Sequence, residues 1–156
     1  MRLSETHHPI AIVEADDYGS AGIDSTSVHM GKVHSLTACF AFGALTGNSV
    51  LKVYSGAATA TKTTALAFKY RLGSADFSAA SADVLGAATS VTASGLTLTA
   101  TSFDHRLLVV EVDSDTMTAA EPYLTFEIDA TATAMNVGAI AVVQPRDAAN
   151  TAISVL

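Results

Sequence analysis

The residues best equipped for chemistry in this chain are histidines and aspartates. His7 and His8 stand side by side, with His29 and His34 further on, and imidazole is the commonest metal ligand in proteins. Their spacing matches no zinc pattern, and a single cysteine, Cys39, leaves no thiolate pair to complete one. Asp16, Asp17 and Asp24, and separately Asp113 with Asp115, offer the oxygen ligands that calcium favours. Neither group has the loop closed by a bidentate glutamate that such sites use, so carboxylates bonding their own turn backbone are the simpler reading. Serine and threonine hydroxyls are plentiful, but none sits in a G-x-S-x-G elbow, and no G-x-x-x-x-G-K-[ST] or G-x-G-x-x-G phosphate cradle occurs. Glycosidase chemistry needs paired carboxylates and usually a stacking aromatic, whereas tryptophan is absent and aromatics total 6%. The residues therefore predict no enzyme, no metal and no cofactor.

With chemistry set aside, the composition describes a surface. A net charge of −7, with 8 Lys and Arg scattered singly, argues against nucleic acid, which requires clustered cations to displace counterions from phosphates. A neutral or basic protein surface is the easier partner. No apolar run approaches the roughly 20 residues that span a bilayer, and MRLSETHHPIAIVEADDYG lacks the apolar core of a secretory signal. The expectation is synthesis in the cytoplasm and use without export, with no membrane contact. At 156 residues one domain can bury its own core without disulfides.

The dominant pattern has period two and recurs in short runs separated by Gly, Asn, Asp and Ser, the mark of an antiparallel sandwich or barrel. In HSLTACFAF, Leu36, Ala38, Phe40 and Phe42 share one face, while Ser35, Thr37, Cys39 and Ala41 form a second face so small that another surface could lie close. Cys39 itself reads as a buried small hydrophobe. VLKVYSG places Leu51, Val53 and Ser55 opposite Val50, Lys52 and Tyr54, and the turn at 46–49 predicts a hairpin between these two runs. ALAFKYRL points Leu66, Phe68, Tyr70 and Leu72 inward, and SVTASGLTLTATSF has strand character around Gly95. RLLVVEVD faces Leu108, Val110 and Val112 inward, and Leu107, Val109 and Glu111 take the other face, which is expected to be partly covered too. PYLTFEID and NVGAIAVVQP complete the set, the latter with Ile140 and Val142 opposite Val137, Ala139, Ala141 and Val143. Residues 74–88, rich in Ala and poor in β-branched side chains, favour a short helix or irregular loop.

Counting IAIVEA near the start, about eight strands result, the number of a jelly roll. The expected fold is all-β, a jelly-roll-like antiparallel β-sandwich over residues 21–147, with an extended N-terminal arm at 1–20 and a C-terminal tail at 148–156.

The segments GNSVLKVYSGAATATKTTALAFKYRLGSADFSAASADVLG, GLTLTA, DHRLLVVEVDSDTM, YLTFEID and NVGAIAVVQPR, spanning about residues 10–147, resemble the cement, or capsid-decorating, proteins of tailed bacteriophages. The resemblance implies a jelly roll on the outer capsid surface of the virion, clamping neighbouring copies of the major capsid protein, and itself a homodimer or homotrimer. The family carries no catalytic signature to transfer. On this reading the N-terminal arm orders on docking, with Ile10, Ile12 and Val13 as apolar anchors and His7, His8 and Tyr18 as further interface residues. Two other classes remain in view: a carbohydrate- or receptor-binding sandwich of a phage tail or adhesin, and a cupin-like enzyme on a jelly roll, which would need clustered His and carboxylate ligands.

Overall fold

A computed structural model describes residues 3–79, 82–130 and 134–146. Twelve strands alternate with a few short helical turns. In chain order the strands are β1 (His8–Asp17), β2 (Ile23–Asp24), β3 (Val28–His29), β4 (Val33–Leu45), β5 (Ser49–Gly56), β6 (Thr64–Leu66), β7 (Phe68–Leu72), β8 (Thr89–Val91), β9 (Leu96–Leu98), β10 (Leu107–Asp113), β11 (Tyr123–Ile128) and β12 (Met135–Pro145). They form two six-stranded sheets. Sheet A runs β1-β12-β4-β10-β7-β8, and sheet B runs β2-β11-β5-β6, with β3 added beside β11 and β9 beside β5. Every pairing is antiparallel.

The fold is an all-β sandwich, and its principal strands follow jelly-roll order. Taken in sequence, β1, β2, β4, β5, β6, β10, β11 and β12 alternate between sheets except at β5 and β6, which pair within sheet B, and first and last strands are neighbours in sheet A, as two Greek keys require. Strands β7 to β9 are an insertion between the fifth and sixth of these, extending sheet A beyond β10 and adding β9 to sheet B.

Alternation explains the core. The inward residues of sheet A include Leu36, Ala38, Phe40 and Phe42 on β4, Leu108, Val110 and Val112 on β10, and Val137, Ala139, Ala141 and Val143 on β12, all buried. Sheet B opposes them with Leu51 and Val53 on β5 and Leu124, Phe126 and Ile128 on β11. Phe40 meets Phe126 edge-on across the gap, ring centroids 5.3 Å apart, so one aromatic pair joins the two layers.

Three expectations change. First, the N-terminal segment is no arm over residues 8–17: β1 is an edge strand of sheet A, paired with β12 from His8↔Val143 to Asp17↔Asn136. Ile10, Ile12 and Val13 are buried in the core and are unavailable as docking anchors. Their alternation, broken once by a bulge between Ala11 and Val13, puts apolar side chains on the inner face. Second, β4 and β5 form no hairpin. The end of β4 is held by the Leu45 amide donating to Asp104 Oδ1 at 2.8 Å and the Thr46 amide donating to the Ala134 carbonyl at 3.0 Å, while β5 enters the other sheet. Third, ALAFKYRL divides at Ala67, giving β6 to sheet B and β7 to sheet A. Of the short helix or irregular loop expected at residues 74–88, the described part is the loop. Gly73 bridges Leu85, and the Ser74 amide donates to the Val84 carbonyl, so extended backbone takes the bonds a helix would have made. Residues 148–156, the expected tail, lie outside the described residues.

The β1–β12 end is closed by Asp17, whose carboxylate accepts the amides of Met135 (2.9 Å) and Gly19 (3.0 Å). These bonds hold its pKa below the ordinary value of 3.8, the Met135 amide contributing most. A depressed carboxylate stabilises above its ordinary pKa and loses that contribution as pH falls through the folded value. The variant Asp17→Asn is therefore expected to show a flatter dependence of melting temperature on pH below about 4 than the parent, a difference that parallel thermal melts would expose.

Candidate functional site: an uncovered sheet face

The two outer faces of the sandwich differ in chemistry. On sheet B, Lys62 bonds both Asp24 of β2 (2.8 Å) and Glu127 of β11 and lies 6.0 Å from the Tyr54 ring centroid, while Lys52 pairs with Asp129 at 3.3 Å. Burial opposes the Lys62 charge, but its carboxylate partners outweigh that and raise its pKa. The loop after β5 also covers part of this face, since the Ala60 amide donates to Ser27 Oγ, which is itself bonded to the buried Thr125 hydroxyl at 2.8 Å. Sheet B thus finishes its outer surface with its own charges and its own loop.

Sheet A does not. Directly opposed residues share a face, so the registers of β1, β12, β4, β10 and β7 define rows across it. One row reads Ala11, Ile140, Cys39, Val109, Arg71, and the next Pro9, Val142, Thr37, Glu111, Lys69. A third carries Gly138, Ala41 and Leu107. The centre is apolar and mostly small. Ile140 stands 49% exposed, while Val109, at 8%, lies lowest in its row. Gly138 matters because a Cβ there would come within 3.0 Å of the Ala15 side chain, which folds over it from β1. Among the described residues Ile140 is the exposed large hydrophobic side chain of these rows, set among small apolar neighbours, which makes the centre of the face a candidate contact surface.

Its edges are poor alternatives. The free edge of β1 is interrupted by Pro9, register shifts and the carboxylates of Glu14 and Asp16, devices that discourage strand addition. At the other side β8 has only three residues.

A second apolar feature rises at one end of sheet A. The segment after β7 carries Phe77 (52% exposed), Val84 (67%) and Leu85 (46%), three of the most exposed large hydrophobic residues described. It is braced. Ser74 and Val84 exchange two hydrogen bonds, the Ala75 amide donates to Asp83, and Asp76 accepts from the Ser78 amide and hydroxyl, which lowers its pKa. The Phe77 amide donates to the His105 carbonyl, and the two rings meet edge-on at 5.9 Å. His105 is held at φ 51°, a left-handed conformation costly for a side chain with a Cβ. Phe77 also borders a depression of about 440 Å³ on the outer face, floored by Ala41, Gly43 and Gly138.

The residues singled out by chemistry are dispersed. Among the described residues no three His, Cys, Asp or Glu side chains are placed to hold a metal ion. His8 opens β1, His29 packs edge-on against Tyr123 at 4.8 Å, and His34 is exposed on β4. The His7 ring bonds the neighbouring Thr6 hydroxyl at 2.7 Å. Tyr18 packs against the core and donates to the Glu14 carbonyl. Asp16, within β1, accepts from the adjacent Asp17 amide, whereas Asp24 belongs to Lys62. The Asp113 carbonyl accepts from Thr116 at the short helical turn where Asp115 also lies. Cys39 departs from expectation: it faces outward, half-buried in the middle of the sheet A face, where burial pushes its thiol pKa up. Sequence reasoning found the small second faces of β4, β10 and β12 but missed the braced apolar segment, whose signal was Phe77, Val84 and Leu85 within an otherwise Ala- and Ser-rich stretch.

No protein-family model matches the chain, and no curated protein matches it. Among solved structures, a chain from a structure of infectious bursal disease virus Gt strain aligns with 94% of this chain and 42% of its own length, at 14% identity and a TM-score of 0.17. This chain therefore spans less than half of that one, and similarity at this level carries no argument about fold or function.

Proposed function

We propose that this protein is a non-catalytic structural protein of a virion that binds the outer surface of a phage capsid and stabilises it by clamping neighbouring copies of the major capsid protein. The uncovered apolar surface of sheet A and its braced end segment carry the reading, because a surface of that kind is built for contact. The strand segments that resemble cement proteins supply the capsid as partner. In this role the preformed sandwich adds buried area across a subunit seam, and many symmetric copies make modest contacts collectively strong. The described segments 73–79 and 82–86 are the natural lever: their backbone is tied down by the Ser74–Val84 and Ala75–Asp83 bonds before docking, so less ordering entropy is lost on contact.

The test is co-sedimentation of the purified chain with expanded heads of the source virus prepared without it. Saturable binding at a fixed number of copies per capsid subunit is expected, and the double variant V84S/L85S should lose about tenfold or more in affinity while melting like the parent, since burying one aliphatic side chain contributes about 1.5–3 kcal/mol. Absence of saturable binding by the parent chain would rule the reading out. Binding to glycans in place of heads would favour the carbohydrate-binding module instead.

A further inference from the structure

We infer that the depression between β1 and Phe77 receives one arginine side chain of the partner protein, its aliphatic stem crossing the floor and its guanidinium ending on the β1 carboxylates. The inference rests on the reading of this protein as a capsid clamp and goes further by naming the chemistry of the partner residue. Shape comes first. The floor is Ala41, Gly43 and Gly138, so nothing longer than a methyl group rises from these positions, and at about 440 Å³ the hollow falls within the range of small-ligand sites, about 300–1,000 Å³. A Cβ on Gly43 would come within 3.1 Å of the Asn136 side chain, and one on Gly138 within 3.0 Å of the Ala15 side chain, so the close packing of β1, β12 and β4 beneath the hollow needs glycine at both positions. Second, one wall is fixed before any partner arrives. The His105 amide donates to the Gly43 carbonyl at 3.1 Å and the Phe77 amide donates to the His105 carbonyl at 2.9 Å, which holds the half-exposed Phe77 ring beside the floor. The left-handed backbone of His105, φ 51°, is the strain borne to place it there. Third, charge selects the occupant. Asp16 and Asp17 line the β1 side, and no Lys, Arg or His lines the depression. Among the described residues neither carboxylate is in an ion pair, whereas Asp24, Glu127, Asp129 and Glu111 each face a Lys or Arg of this chain. The bonds that both accept from the chain's own amides fall on Oδ1, which leaves Oδ2 for a cation. Fourth, β12 separates β1 from β4, so strands about 4.8 Å apart set the carboxylates about 10 Å from the strand beside Phe77. A short apolar side chain does not reach across. Arginine does, packing its stem on apolar surface while its planar fork bonds the carboxylates, where lysine would bring only a point charge. The net charge of −7 favours a basic partner surface on approach.

A peptide probe tests the site apart from any capsid. Titrating the isotopically labelled chain with acetyl-Ala-Arg-Ala-amide should move the amide resonances of Gly43, Phe77 and Gly138 saturably, with a Kd of about 1–10 mM. The same peptide with citrulline, which keeps the shape and loses the charge, should bind about fivefold more weakly or worse. Ala41→Leu, at an exposed position, fills the floor without entering the core, and should abolish the saturable shifts while melting like the parent. Should its melting change, Phe77→Ser makes the same test from the other wall. The double variant D16N/D17N should weaken the peptide about fivefold, whereas E14Q, on the same strand but outside the hollow, should stay within about twofold of the parent. On expanded heads, A41L should lose about tenfold in affinity. Heads that bind the parent while the peptide moves nothing, or while arginine and citrulline peptides bind alike, would overturn the inference and leave the capsid reading standing. So would E14Q matching D16N/D17N, which would reduce the attraction to diffuse charge, or A41L binding heads like the parent. A peptide that saturates the site on a chain that no head binds would keep the arginine site and remove the capsid as its source.

Discussion

Deleting residues 2–13 is expected to abolish cooperative folding. The deletion removes most of β1, and with it Ile10, Ile12 and Val13, which are 7%, 3% and 8% exposed. Each buried aliphatic side chain contributes about 1.5–3 kcal/mol, so their loss amounts to about 5–9 kcal/mol. Domains of this kind are stable by only about 5–15 kcal/mol in total. The remaining chain also opens the inner side of β12, where Ala139, Ala141 and Val143 are buried beside β1. Far-UV circular dichroism on heating should show a gradual, non-sigmoidal loss of signal for the truncated chain and a single transition for the parent. A sharp transition within a few degrees of the parent would return these residues to the status of an arm lying outside the sandwich.

That segment also shows where sequence reading reaches its limit. The alternation of Ile10 and Ile12 was legible as strand, but a strand seen alone does not reveal whether its apolar face meets this chain or another. The same limit applies at Ala67. Alternation continues unbroken from Ala65 to Leu72, and nothing in a period-two pattern records that β6 and β7 belong to different sheets, because both bury the same set of side chains against one core. The turn at 46–48 misled for a related reason: turn residues announce a reversal, not the sheet that the next strand joins. What the pattern did disclose was two-sidedness. Ser35, Thr37, Cys39 and Ala41, with Leu107, Val109, Ile140 and Val142, are too small or too apolar for a solvated outer face, and the register gathers all of them onto one surface. The described segments 73–79 and 82–86 were not legible because they are braced by Ser74, Asp83 and His105, contacts between residues distant in sequence or lacking periodicity.

Adjacent positions on β4 allow the two faces of sheet A to be compared directly. Phe40→Ala is expected to cost about 3–5 kcal/mol, the usual range for a truncated core phenylalanine. Its ring is fully buried, meets Phe126 edge-on at 5.3 Å and stacks near Phe42 at 6.3 Å, and rigid strands on both sides leave the cavity little means of collapse. The melting temperature should fall by about 10 °C or more. Cys39→Ala, one residue away, removes a half-buried sulfur from the outer face and opens no enclosed cavity, so its effect on a dilute monomer should stay within about 1 kcal/mol. Chemical denaturation of both variants at low protein concentration makes the comparison. Equal destabilisation of the two in dilute solution would mean that Cys39 is enclosed within the single chain, and the outer surface of sheet A could not then be the free contact face inferred for it.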